Sequence, residues 1–249
     1  MIERVRPSAL LAAFEHRSTP LPLGRWNFYQ EWHDALFLHY QVDPAALRSL
    51  VPQELKLDFF EGKAWISVVA FTMQNVRPRW LPGWSAVSDF HEVNLRTYVR
   101  DRNGIAGVYF LSIDAAKWVS VALARLLSTL PYRKAQITRR QHAGNWFEAS
   151  TGMGMHLQVN CRGTEPITCP MELDRWLVER YALFECYRDS VWCYEIHHLP
   201  WPLQMLRIDQ LLLTPAADIT LFEFPDKPDL AHWSAGVQIL SWPRSKIIS

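Results

Sequence analysis

The chain has 249 residues and a net charge of +1, with its arginines scattered rather than clustered. That balance excludes an electrostatic nucleic-acid binder. No stretch approaches the roughly eighteen apolar residues of a membrane span, and the run Ala9 to Phe14 is too short and wrongly flanked for a signal peptide. The expectation is a cytoplasmic protein with no membrane contact.

Residues Met1 to Arg25 read as an N-terminal arm, because Pro20-Leu21-Pro22-Leu23-Gly24 opposes regular structure. Residues 26–249 read as one domain, with no linker, charge block or repeat. Leu36 to Val42 predicts a strand. Asp43-Pro44 then opens a short helix, with Asp as N-cap and Pro at the first helical position. Leu55 to Phe60 and Lys63 to Met73 predict a hairpin around Glu61-Gly62, and Arg77 to Ser88 a long loop rich in Pro and Trp.

Asp89 to Val99 is the most informative strand. With period-2 alternation, Glu92, Asn94, Arg96 and Tyr98 share one face and Val93, Leu95 and Val99 the other. Asn103-Gly104 predicts a two-residue hairpin loop. That register sets Tyr98 opposite Tyr109, Arg96 opposite Leu111 and Asn94 opposite Ile113. Both faces are then substantially apolar, as in a sheet covered on both sides. Polar groups on such a wall need partners or a ligand.

Asp114 predicts the cap of a helix over Ala115 to Ser128, closed by Pro131. Strands follow over Lys134–Arg140, Asn145–Thr151 and Met155–Cys161. A second helix runs from Pro170 to about Tyr181, then a hairpin from Leu183 to His197, and strands near Met205–Leu213 and Gly236–Trp242. Many antiparallel strands with two main helices predict an α+β fold, mainly antiparallel β, around a closed or nearly closed barrel. The twelve tryptophans suit β structure or an aromatic cavity. Cys161, Cys169, Cys186 and Cys193 form no CxxC motif and read as thiols; Cys186 and Cys193 are expected to oppose each other across the hairpin around Asp189-Ser190.

Asn94-Leu95-Arg96-Thr97-Tyr98-Val99 and His197-His198-Leu199-Pro200-Trp201-Pro202-Leu203 are specific strings. Gly62-Lys63-Ala64-Trp65-Ile66-Ser67-Val68, Gly107-Val108-Tyr109-Phe110 and Phe37-Leu38-His39-Tyr40 support them. Together they resemble the YqjF-like family of uncharacterised proteins, grouped with acetoacetate decarboxylase-like proteins. The resemblance implies a cone-like antiparallel barrel enclosing a small-molecule cavity. Decarboxylase relatives use a Schiff-base lysine, a neighbouring cation and a pocket glutamate. Glu92 falls where that glutamate would be. Alignment on Pro131 puts Tyr132 and Arg133 at the lysine positions, and Lys134 matches only after a one-residue shift.

The candidate catalytic residues are therefore Glu92 and Lys134, the latter beside Arg133, which would depress an amine's pKa. Candidate ligand-binding residues are Asn94, Arg96, Tyr98, Tyr109 and His198. Glu92 and Arg96 also suit a structural ion pair. His197 and His198 point to opposite faces of a strand and cannot both hold one metal ion, so no metal is expected. No Gly-rich phosphate loop is present, and no cofactor is expected. The expected function is binding of a small organic molecule, such as a carboxylate, in the barrel. The alternatives are a cofactor-independent lyase working through an imine on Lys134, and a protein-interaction module using Trp80 to Trp84. The oligomeric state is left open, a homo-oligomer included.

Overall fold

The computed structural model describes residues 2–83, 89–116, 132–141, 145–151, 155–187, 190–214, 222 and 224–247. Within the strands, residues 132–134, 141, 145–147 and 149–151 are described as backbone only. The first long strands are β1 (Phe28–Val42), β3 (Ala64–Pro78), β4 (Phe90–Arg100) and β5 (Ala106–Ala115), with the short β2 (Lys56–Leu57) beside β4. Then come β6 (Tyr132–Gln141), β7 (Asn145–Thr151), β8 (His156–Pro166), β9 (Ala182–Tyr187), β10 (Ser190–His197), β11 (Leu203–Thr214), β12 (Leu230–Ser241) and β13 (Ser245–Lys246). Three helices are described: α1 (Pro7–Ala12), α2 (Pro44–Arg48) and α3 (Glu172–Val178). None of them is long and apolar enough to cross a membrane.

All thirteen strands belong to one sheet, antiparallel except where β5 pairs β6 and β9. The pairings β10–β12 and β4–β5 close it into a ring through β12, β1, β3, β4, β5, β9 and β10. The fold is α+β around a sheet-rich, barrel-like closure, and both faces of the central strands are packed. Val93, Leu95 and Val99 join Leu38, Ile66 and Val68 in one core; Tyr98, Val108, Phe110 and Ile113 join Phe37, Phe71 and Trp201 in the other. A strand covered on both faces explains why β3 reads as a continuous apolar run.

The β4–β5 turn corrects the expected register. Its loop is Arg102-Asn103-Gly104, closed by Asp101 N donating to Ile105 O at 3.1 Å. The Asp101 carboxylate accepts from Asn103 N at 2.9 Å and Ile105 N at 2.8 Å, and Gly104 takes φ +80°. A side-chain acceptor and a left-handed glycine stabilise the wider loop. Tyr98 therefore faces Val108, and Arg96 faces Phe110. A bulge between Leu95 and Arg96 then places the extra residue Leu111 on β5, which restores Asn94 opposite Ile113.

Other boundaries move too. β5 runs through Ala115, so no helix begins there, and residues 117–128 of that expected helix lie outside the described residues. Phe60 and Lys63 close a turn over Glu61-Gly62, but β2 leaves to pair with β4. The second helix is shorter than expected and ends at Val178, where Glu179 leaves helical ψ. The arm carries α1, whose Leu10 is buried. Cys186 lies opposite Val191, and Cys193 opposite Phe184, two residues off the expected pairing; none of the four cysteines forms a disulfide.

Candidate functional site

Three strands set the site. Arg96 on β4 pairs with Ser67 on β3, which pairs with His39 on β1, so the three residues form one row on one face of the sheet. Glu92, Asn94 and Tyr98 continue that face along β4, and all four β4 side chains are buried. The mixed polar row is thus inside the protein rather than facing water.

Arg96 is the unusual member. A guanidinium stays charged at any accessible pH, yet Arg96 is buried and no carboxylate pairs with it among the described residues. Its Nη2 donates to Leu177 O at 3.3 Å, and its carbon centre lies 5.8 Å from the Phe37 ring. Nε has no acceptor. Burial pulls its pKa down, with Tyr98 opposing. Glu92 accepts from Asn94 Nδ2 at 3.1 Å, and the expected Glu92–Arg96 ion pair is not formed. Asn94 Oδ1 is a second buried atom with no partner among the described residues.

His198 lies just beyond the end of β10. Its Nδ1 donates to Leu199 O at 2.7 Å, and its ring packs on Tyr181 and Trp201 at 4.8 and 5.5 Å. Burial drives its pKa down to about 3, helped by the field of His16, Arg17 and Arg96, so it is neutral at ordinary pH. His197 turns toward the arm instead, with Nε2 donating to Leu10 O at 2.8 Å. Tyr109 falls on the other face, packed against the opposite core with its pKa pushed up to about 12 by burial. It leaves the candidate site because the three-residue turn reversed its orientation. The side chain of Lys134 lies outside the described residues. Its backbone pairs with Ala115, and Ala115 pairs with Glu92, so the three positions are in register across β6, β5 and β4.

The sequence reading placed none of Ser67, His39, His232 and Asp174 in the site. Asp174 Oδ1 meets His232 Nε2 at 3.1 Å; His232 Nδ1 meets His39 Nε2 at 3.1 Å; His39 Nδ1 meets Ser67 Oγ at 2.6 Å; Ser67 Oγ meets the Tyr98 hydroxyl at 2.5 Å. All five residues are buried. Ser67 and His39 did carry a signal: each is the one polar residue in an apolar strand segment (Ala64 to Ala70, Leu36 to Tyr40), on positions that the β1–β3 register brings together.

Residues 29–238 match the DUF2071 family, described as an uncharacterized conserved protein. The chain belongs to this family. It is 36% identical over 240 residues to the uncharacterized protein YqjF of Bacillus subtilis (strain 168), covering 94% of this chain and 98% of that one. Among solved structures it resembles an acetoacetate decarboxylase-like enzyme from Sphingomonas wittichii RW1 (TM-score 0.63, 18% identity, 94% of this chain and 98% of that one). It also resembles the enduracididine biosynthesis enzyme MppR complexed with pyruvate (TM-score 0.61, 12% identity, 92% of each chain). At those identities the structural likeness shows the fold, which is acetoacetate decarboxylase-like.

Proposed function

We propose that this protein binds a small organic carboxylate on the buried face of β4. The observation that carries this reading is Arg96: a buried, permanent cation without a carboxylate partner among the described residues and with Nε lacking an acceptor. A buried donor left unmade costs about 1–3 kcal/mol, and a ligand carboxylate would remove that cost by fork-like pairing. Asn94 Oδ1, also unpartnered, supplies an acceptor for a second polar group of the ligand. Phe37 and Trp201 line the apolar side, their rings 5.0 Å apart edge to face. The structural relative that holds pyruvate makes a 2-oxo acid the first ligand to try.

Calorimetric titration with pyruvate and with acetoacetate tests the reading. Binding that disappears in Arg96→Leu, with the variant still folded, supports it; no binding of either acid by the wild type counts against it. A lyase reading is favoured by one further observation, the register of Lys134 with Glu92 through Ala115. An imine there would use the lysine as nucleophile and Glu92 as acid or base. Borohydride added with a β-keto acid should then add mass at Lys134, and an unmodified Lys134 across a panel of keto acids would rule that chemistry out.

A further inference from the structure

A cleft of about 320 Å³ opens at the far end of β4 from Glu92, within the size range of small-molecule sites. The arm, the end of β4 at Arg100, α3, the segment after α3 and β10 all contribute to its walls. Its charges are unevenly matched. Arg100 and Arg180 share one carboxylate: Asp58 Oδ1 accepts from Arg100 Nε and Oδ2 from Arg180 Nη1, each at 2.8 Å. Two permanent cations on one anion leave that wall positive. Arg180 is only 5% exposed; its guanidinium stacks on the Trp176 ring at 4.3 Å and its Nε donates to Trp176 O at 2.6 Å. Its Nη2 is buried with no acceptor among the described residues. Glu195, also lining the cleft, lies opposite Ala182 on β10, partly buried and with no hydrogen bond or ion pair among the described residues. Burial pushes its pKa up, with Arg17 opposing. Glu179 differs, because its carboxylate already accepts from the Tyr181 hydroxyl at 2.6 Å and from Trp201 N at 2.8 Å.

We propose that this cleft is a second ligand site, for a small zwitterion whose carboxylate is held by Arg180 and whose ammonium is held by Glu195. The orphan donor Nη2 takes a carboxylate oxygen, with the Arg100 cation beside it, and so makes the charge-assisted bond that no described protein group supplies. Glu195 accepts from the ammonium, and a cation there offsets the burial that disfavours its charged form. Ile105, Ala106 and Ala182 offer apolar surface to a short carbon chain between the two ends. An anion alone would leave Glu195 unmatched, and a cation alone would leave Arg180 unmatched, so the cleft selects for both charges in one molecule. Neither Arg96 nor Glu92 lines this cleft, and the proposal does not rest on the carboxylate reading.

Calorimetric titration of the full chain with L-alanine and 4-aminobutyrate, beside butyrate and butylamine as single-charge controls, tests it. At least one zwitterion should bind, about tenfold or more tighter than butylamine. Glu195→Gln should weaken that zwitterion by about tenfold or more while leaving any butyrate binding unchanged, since butyrate has no ammonium to lose. Arg180→Lys keeps a charge toward Asp58 but removes Nη2, and should weaken the zwitterion by a similar factor. No binding of either zwitterion overturns the proposal, as does butylamine binding equally tightly. Zwitterion binding that survives Glu195→Gln overturns it too, because the molecule would then sit elsewhere; equal weakening of butyrate would show that Glu195 does not read the ammonium. Glu195 has no hydrogen bond or ion pair to lose among the described residues, so its variant keeps the test open even if Arg180→Lys does not fold. Pyruvate enters none of these titrations, so this site and the carboxylate reading can fail separately.

Discussion

At the scale of single residues, two buried charges are handled in opposite ways. Among the described residues no carboxylate pairs with Arg96, whereas Glu31 is saturated. The Glu31 carboxylate accepts from Arg4, Tyr29, His33 and Asn75 at 2.8–3.0 Å. Burial alone would raise its pKa, but the hydrogen bonds outweigh it and hold the group down at about 2. A carboxylate with a depressed folded-state pKa contributes stability above its unfolded pKa, near 4.5, and loses it as pH falls toward about 2. Urea midpoints of wild type and Glu31→Gln should therefore differ clearly at pH 7 and converge between about pH 4.5 and 2. For Arg96→Leu the expected outcome is loss of pyruvate binding by at least about tenfold, the ordinary scale of a charge-assisted hydrogen bond, read by calorimetry beside a thermal melt.

Individual elements show where local pattern and tertiary contact disagree. Alternation along β4 was legible because the strand is covered on both faces and Glu92, Asn94, Arg96 and Tyr98 fall at period 2. The register to β5 was not legible near the turn, since the Asn-Gly signal cannot reveal that Asp101 would close a wider loop with its side chain. The bulge at Leu111 cancelled that error further along, so Asn94 lies opposite Ile113 as expected while Tyr109 does not face Tyr98. β5 also depends on close approach to β9. A Cβ on Gly107 would stand 2.3 Å from Ala182 O and 2.7 Å from the Phe184 ring. Gly107→Ala should cost about 1–3 kcal/mol, in the range of overpacked sites, seen as a lowered urea midpoint with unchanged slope.

For the whole molecule, the N-terminal arm acts as a cover for the β12–β1 region. Leu10 packs with Trp26, Tyr29, Leu240 and Trp242, and Val5 exchanges two hydrogen bonds with Gln238. Arg17 donates to Ile196 O at 2.6 Å, and Leu10 O receives His197. Deleting residues 1–25 should lower the melting temperature by several degrees and raise binding of a hydrophobic dye, because Leu240 and Trp242 lose their cover. An unchanged melt would mean that the arm contributes nothing to stability.

Sequence alone determined the alternating polar row on β4, most strand positions and the family resemblance, because these depend on local period and on short strings. Only tertiary structure decided which polar residues meet. Ser67, His39, His232 and Asp174 come from β3, β1, β12 and α3, and no local pattern links residues up to 193 positions apart. Strand register and the contact of α3 with His232 bring them together. Tyr109 was lost from the site for the same reason, since one extra loop residue is enough to send a side chain to the other face of a sheet.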